Sequence, residues 1–258
     1  LICLKYEARS RDRIARRKPE SMTATNGNLI EGVIANLPMF RQASRTHLAE
    51  LARQARTQHA RRGTLILHRG DKLHGLMAVA YGMVKLSLRG DAGEEKILRL
   101  VGPGEIFGEP AAFLETPMPL DAVALNDSLL VMLPVAAING LIDREPGFAR
   151  KVIASLSQRM NEMVADVEAT NLHGALERVA AYLDSLADHD ARAPVTVRLP
   201  ATKTVIAARL GVTKETFSRL LRELAQRKVV SVARREVTLL DRERLADIAH
   251  GKARHHAV

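Results

Sequence analysis

Two apolar periods divide this chain. Between Gly63 and Leu133 the hydrophobic residues come in short alternating runs, and from Gly147 onward they recur every three or four positions. In the first region Leu65 and Leu67 alternate with Ile66 and His68, Gly70-Asp71 makes a turn, and Leu76–Tyr81 reads as a strand broken by Gly82. Val84, Leu86 and Leu88 alternate with polar neighbours, Arg89–Glu95 is a hairpin loop, and Lys96–Val101 returns. After the turn through Gly102, Pro103, Gly104 and Gly108, Ala122–Leu125 and Leu129–Leu133 complete a series of short strands. That spacing predicts a small antiparallel barrel or jelly roll. A helix over Ser44–Arg56, striped by Leu48, Leu51 and Ala52, precedes it.

Pro134–Ile142 reads as a short connection. Beyond it a helix free of internal Gly and Pro runs from Gly147 to about Asn171. Val152, Leu156, Met160, Met163 and Val167 repeat along it at spacings of four, four, three and four, with Ile153 and Val164 alongside. Such a seam needs a partner, and a second copy in a parallel coiled coil is the economical one; the alternative is its own barrel. Gly174–Ala187 is another amphipathic helix and Val195–Leu199 a short strand.

Two short helices with a tight turn follow in Ala201–Lys228. Thr202 caps the first, Gly211 supplies a left-handed turn residue, Val212 plugs the angle and Thr213 caps the second. Phe217, Leu220, Leu221 and Leu224 take one side of the second helix, leaving Glu215, Ser218, Arg219 and Arg222 on the other. Those four groups suit base edges in a major groove, because Arg bonds guanine twice, Glu accepts from cytosine and Ser serves several bases. Glu215, Ser218 and Arg219 are the candidate base readers. Thr202, Lys203, Thr204, Lys214 and Arg222 are candidates for phosphates. Val229–Val232 and Glu236–Leu240 form a two-stranded wing around Ala233-Arg234-Arg235, and Leu245 and Ile248 mark a last helix.

Charge supports a polyanionic partner through its distribution. The chain carries 39 Lys and Arg against 29 Asp and Glu in 258 residues. Residues 1–22 hold seven basic and three acidic side chains, 23–170 sixteen of each, and 171–258 sixteen basic and ten acidic. The excess sits in a ragged N-terminal tail and in the helix-pair region. Cys3 is the one cysteine, so no disulfide framework or four-cysteine site forms within the chain. No apolar run is long enough to span a bilayer and no secretory signal is apparent, so a cytoplasmic protein without a membrane partner is expected. Residues 1–21 read as disordered, with Met22 as a natural start.

The order of these parts resembles the CRP/FNR superfamily of bacterial transcription regulators. The resemblance spans about Leu37 to Ile248. It is carried by Gly63-Thr64-Leu65-Ile66 with Gly70-Asp71, by Gly82, by Gly104 through Gly108-Glu109, and by Gly211 through Arg219. It implies an α+β chain: a basic tail (1–28), a cyclic-nucleotide-binding-like sensor barrel (29–145), a dimerisation helix (146–172), a winged helix-turn-helix domain (173–251) and a flexible tail (252–258). Glu215, Ser218 and Arg219 match the E-x-x-S-R pattern of the FNR branch, which implies an inverted repeat of TTGAT-like half-sites on double-stranded DNA. A homodimer joined through Val152, Leu156, Met160, Met163 and Val167 is implied, as is contact with RNA polymerase; the acidic hairpin Asp91, Glu94, Glu95 is a candidate for that contact.

The sensor chemistry departs from the best-known branches. Cyclic-nucleotide binders of the family use an Arg-Ser pair for the phosphate, and those positions fall on Pro119-Leu120, so cyclic AMP is not expected. An iron–sulfur cluster needs four thiolates and is not expected either. The segments Glu95–Leu98, Phe113–Pro117, Glu215–Arg219 and Arg235–Leu245 look most like the DNR branch, which senses nitric oxide through haem. That implies an apolar effector pocket near Glu109, Met163 and Val164, with His68 and His74, flanking the Gly70-Asp71 turn, as candidate haem ligands. A different small-molecule effector is the alternative. Two other classes remain, a cupin-like enzyme and a ligand-binding module that does not touch DNA. Against the first, the barrel has no H-x-H and no activated nucleophile; against the second stand the C-terminal charge and the E-x-x-S-R pattern.

Overall fold

The computed structural model describes residues 27–41, 43–90, 95–188 and 190–251. The expected tails, apart from Gly27 and Asn28, lie outside the described residues, as do Asp91 and Glu94 of the acidic hairpin.

Eight strands form two four-stranded antiparallel sheets. The first, in the order β1-β8-β3-β6, contains β1 (Arg56–Ala60), β3 (Gly75–Tyr81), β6 (Ile106–Phe107) and β8 (Ser128–Pro134). The second, in the order β2-β7-β4-β5, contains β2 (Leu65–Leu67), β4 (Val84–Arg89), β5 (Glu95–Val101) and β7 (Asp121–Ala124). Met77, Val79, Val84, Leu86, Val101, Phe107 and Leu130 fill the space inside. Leu76, Ala78, Val131 and Leu133 alternate with these and belong to a second core outside the first sheet. Coverage on both faces explains why β3 is a nearly unbroken apolar run instead of an alternating one. At the edge of β3 a Cβ on Gly75 would stand 2.3 Å from the Leu133 carbonyl oxygen, so only glycine allows β3 to approach β8 there.

The second core is made by helices. The structure adds α1 (Gly27–Asn36), where the tail was expected to reach residue 28, and it is held by Ile30 and Ile34, one turn apart. Next come α2 (Arg45–Gln54), whose Ser44 hydroxyl accepts the His47 amide at 3.2 Å, and α3 (Glu109–Phe113). The segment expected as a connection is α4 (Val135–Arg144), burying Ala137, Ile138 and Leu141. The long helix α5 (Pro146–Leu172) begins against this core, with the Phe40 and Phe148 rings 5.2 Å apart.

A third core organises the C-terminal part: α6 (Ala175–Asp184), β9 (Val195–Arg198), α7 (Lys203–Arg209), α8 (Lys214–Gln226), β10 (Val230–Ala233), β11 (Glu236–Leu239) and α9 (Arg242–Ala249). The wing has three strands rather than two, because β9 pairs with β11 through Val197 opposite Val237. No helix among the described residues is long and apolar enough to cross a membrane.

Candidate DNA interface and effector cavity

The helix pair is built as its residue pattern requires. Thr202 accepts the Val205 amide at 3.4 Å and Thr213 the Thr216 amide at 3.1 Å, so each hydroxyl satisfies an orphan donor at a helix start. Gly211 sits at φ +66°, a left-handed conformation in which a side chain is strained. Phe217, Leu220, Leu221 and Leu224 are buried in the third core, so the opposite face of α8 points outward. On that face Glu215, Arg219 and Arg222 are exposed and Ser218 is half-buried. Thr202, Thr204 and Lys214 are exposed at the two helix starts, and Lys203 is half-buried.

A groove of about 600 Å³ runs between α8 and the wing, and Lys203, Ser218, Arg222, Lys228 and Ser231 line it. It brings candidate phosphate donors from α7, α8 and the start of β10 to one surface beside the candidate base-reading face. Lys228 and Ser231 were missed in the sequence because nothing in Arg227-Lys228 shows that β10 turns back along α8. At the wing tip Arg235 donates to the Leu199 carbonyl at 3.0 Å, while Arg234 is exposed at φ +56°.

The seam of α5 needs one correction. Val152 is 5% exposed and packs in the second core with Ile138 and Phe148, so it faces its own barrel. Ile153, 63% exposed, takes its place, followed by Leu156, Met160, Met163, Val164 and Val167, all exposed. Ile153, Leu156, Met160, Met163 and Val167 are spaced three, four, three and four apart, a heptad seam.

Between the barrel and α5 lies a cavity of about 350 Å³. Its walls differ from the apolar pocket expected near Glu109, Met163 and Val164. Arg99, Glu105, Glu109, Lys151, Arg159 and Glu162 line it, whereas Met163 and Val164 sit on the exposed seam. Arg99 donates to the Ile106 carbonyl at 2.8 Å and to Glu105 at 3.0 Å, and Arg159 pairs with Glu162 at 2.5 Å. Glu109 opens α3 after Gly108 and is 9% exposed. Burial pushes its carboxyl above the usual carboxylate range, against its own backbone amide and the charges of Arg99 and Arg159.

The cavity lining mixes apolar Leu37, Met39, Ile106 and Ala154 with these charged groups and includes no histidine that could ligate a haem iron. His68 is on the surface, its Nδ1 2.5 Å from the Arg69 carbonyl and its Nε2 3.9 Å from Asp121. His74 is likewise exposed. Leu120, at one position of the missing Arg-Ser pair, packs against the barrel interior. In the acidic hairpin, Glu95 is taken up within the sheet by Lys85 at 2.5 Å and Ser87 at 2.8 Å. Burial opposes its ionisation, but these bonds hold the carboxyl below its ordinary value.

The two halves of the molecule touch. Leu100 and Leu125 of the barrel pack against the third core. Arg209 of α7 reaches Asp166 of α5 with both carboxylate oxygens at 3.0–3.1 Å. Arg178 spans the junction, donating to the carbonyls of Leu210 at 3.0 Å and His173 at 2.7 Å.

A sensor-type barrel joined by a long helix to a winged helix-turn-helix with a basic outward face defines a DNA-binding transcription regulator. Residues 57–145 match the cyclic nucleotide-binding domain family and residues 177–248 the Crp-like helix-turn-helix domain. The cyclic AMP receptor protein of Thermus thermophilus is 32% identical over 191 residues, 74% of this chain and 87% of that one. The fumarate and nitrate reduction regulatory protein of Vibrio cholerae is 28% identical over 200 residues, 75% and 78% of the two chains. The solved structure of FixK2 from Bradyrhizobium japonicum shares the fold, with a TM-score of 0.66 at 23% identity over 75% of this chain and 96% of that one. The chain belongs to the CRP/FNR family of transcription regulators. It is a regulator and not an enzyme.

Proposed function

We propose that this regulator binds an inverted-repeat DNA site as a homodimer joined along α5, and that a small effector in the charged cavity controls it. The observation that carries the dimer is the exposed heptad seam from Ile153 to Val167, which leaves five large apolar side chains in water unless a second copy covers them. A two-fold pair would place two α8 helices for successive major grooves about one helical turn apart. The Glu215, Ser218, Arg219 face supports TTGAT-like half-sites, read through guanine by Arg219. Contact with RNA polymerase through other exposed surfaces completes the reading.

The DNR-branch version, nitric oxide sensed through haem, is supported by similar motif residues alone. The cavity lining favours the alternative of a different small-molecule effector. Sedimentation of the protein with a palindrome and with a single half-site tests the core of the reading. Two chains on the palindrome, at a distinctly higher affinity than on the half-site, are expected; one chain per palindrome would overturn it.

A further inference from the structure

We propose that the barrel carries a second DNA-contact surface: Arg61 and Arg62, in the turn between β1 and β2, take backbone phosphates of the duplex flanking the site held by α8. This goes beyond the helix-turn-helix contacts and rests on the reading that α8 holds DNA. Residues 23–170 are neutral as a whole, yet from Arg41 to Arg69 there are seven arginines and one acidic residue, Glu50. All seven arginines are exposed and none has an ion-pair partner among the described residues; Glu50 is taken by Arg144 at 3.0 Å. A segregated, uncompensated positive surface favours a polyanion.

Position singles out Arg61 and Arg62. β1 ends at Ala60, opposite Ser128, and the turn that follows is tied to the end of β7. The Gly63 amide donates to the Ala124 carbonyl at 2.7 Å, and the Ala124 amide to the Thr64 carbonyl at 3.0 Å. Leu125, the next residue, packs on the core of the DNA-binding domain, so this turn stands at the end of the barrel that meets that domain. Asp127 accepts the Arg62 backbone amide at 2.9 Å and Gly63 adopts φ +82°, which fixes the turn while both arginines stay exposed. Arg56 stands at the other end of β1, opposite Met132, about 13 Å away along the strand. A duplex longer than its two half-sites carries phosphates beyond the reading helices, and guanidinium groups bind them through charge-assisted bonds. Since the turn belongs to the barrel and not to the α8 face, flanking DNA reaches it by curving toward the barrel. Flanks rich in easily kinked TA and CA steps are therefore preferred without any of their bases being touched.

Competition titrations on the full chain, with two duplexes that share one central inverted repeat, test this. One duplex ends just outside the half-sites, and the other continues on each side by roughly 15 base pairs, about one and a half helical turns. The longer duplex should bind about tenfold tighter, with a salt slope steeper by about one for each added phosphate contact. Arg61→Gln combined with Arg62→Gln should lose most of that gain and of the added slope, yet bind the short duplex as the parent does. Arg61→Lys combined with Arg62→Lys should keep most of the gain, and Arg56→Gln all of it. Equal affinity of the parent for the two duplexes, or a gain that survives in the double glutamine variant, would overturn the proposal. If that variant kept the gain but lost its effect on transcription, the arginines would serve an acidic protein surface, which overturns it equally. Absence of specific binding to the short duplex would overturn the reading of α8, and this proposal with it.

Discussion

Arg99 and Leu100 are neighbours on β5 and serve opposite sides of it: the Arg99 guanidinium lines the cavity against α5, and Leu100 packs on the core of the DNA-binding domain. Strand alternation makes this unavoidable, because successive side chains point to opposite faces. One strand thus touches both the cavity beside α5 and the winged helix-turn-helix domain. Leu100→Ala should cost about 1 kcal/mol of this contact, since the residue is only half-buried. Leu100→Asp should undock the domain, seen as a larger radius of gyration in solution scattering and faster cleavage near His173. An unchanged radius in Leu100→Asp would mean that Leu125 and the Arg209–Asp166 pair hold the domain without it.

Assembly has its own test. Met160→Glu would place a charge in the exposed seam, where burial against a second copy requires its desolvation. The variant should sediment as a monomer with an intact melting transition and lose preference for a palindrome. A dimer of undiminished affinity would locate the interface elsewhere.

The groove between α8 and the wing separates positioning from reading. Both lysines line this groove, so if they hold phosphates, Lys203→Ala and Lys228→Ala should each weaken binding to all sequences alike and lower the salt slope by about one. A loss confined to the specific site would instead make them base readers.

Glu109 makes stability depend on pH. Its folded pKa is raised, so between the ordinary value of 4.5 and the folded one the native chain holds a proton that the unfolded chain has lost. Stability from this group is complete below that ordinary value and disappears as pH rises through the folded pKa. Glu109→Gln removes the ionisation without changing the shape. Without ligand, its melting temperature should match the parent at acid pH and exceed it at neutral pH. A gap that is constant with pH would mean that the carboxyl is ordinary.

Much of this was legible in the sequence where local chemistry decides. Thr202, Gly211 and Thr213 each have a specific task at a helix end, and Phe217 to Leu224 have one buried side, so both helices could be placed from residue type alone. What escaped depends on tertiary contacts. Spacing alone admits either Val152 or Ile153 to the seam, and only the packing of Val152 against Ile138 decides between them. The placing of Met163 and Val164 beside the barrel cavity escaped for the same reason. Helix rotation turns those residues to solvent and presents Lys151, Arg159 and Glu162 to the barrel. Helix α1 and the third wing strand are short segments whose pattern becomes meaningful only beside their partners.

The central claim is that α8 reads DNA, and Arg219 tests it most directly. Arg219 is exposed on the outer face of α8 and belongs to none of the cores, so its removal leaves the fold intact. In competition titrations at one salt concentration, Arg219→Ala should lose about 1–3 kcal/mol on a TTGAT inverted repeat. It should also discriminate less against a changed guanine, while binding to unrelated DNA falls far less. A variant that binds the repeat as tightly and as selectively as the parent would contradict the assignment of this helix.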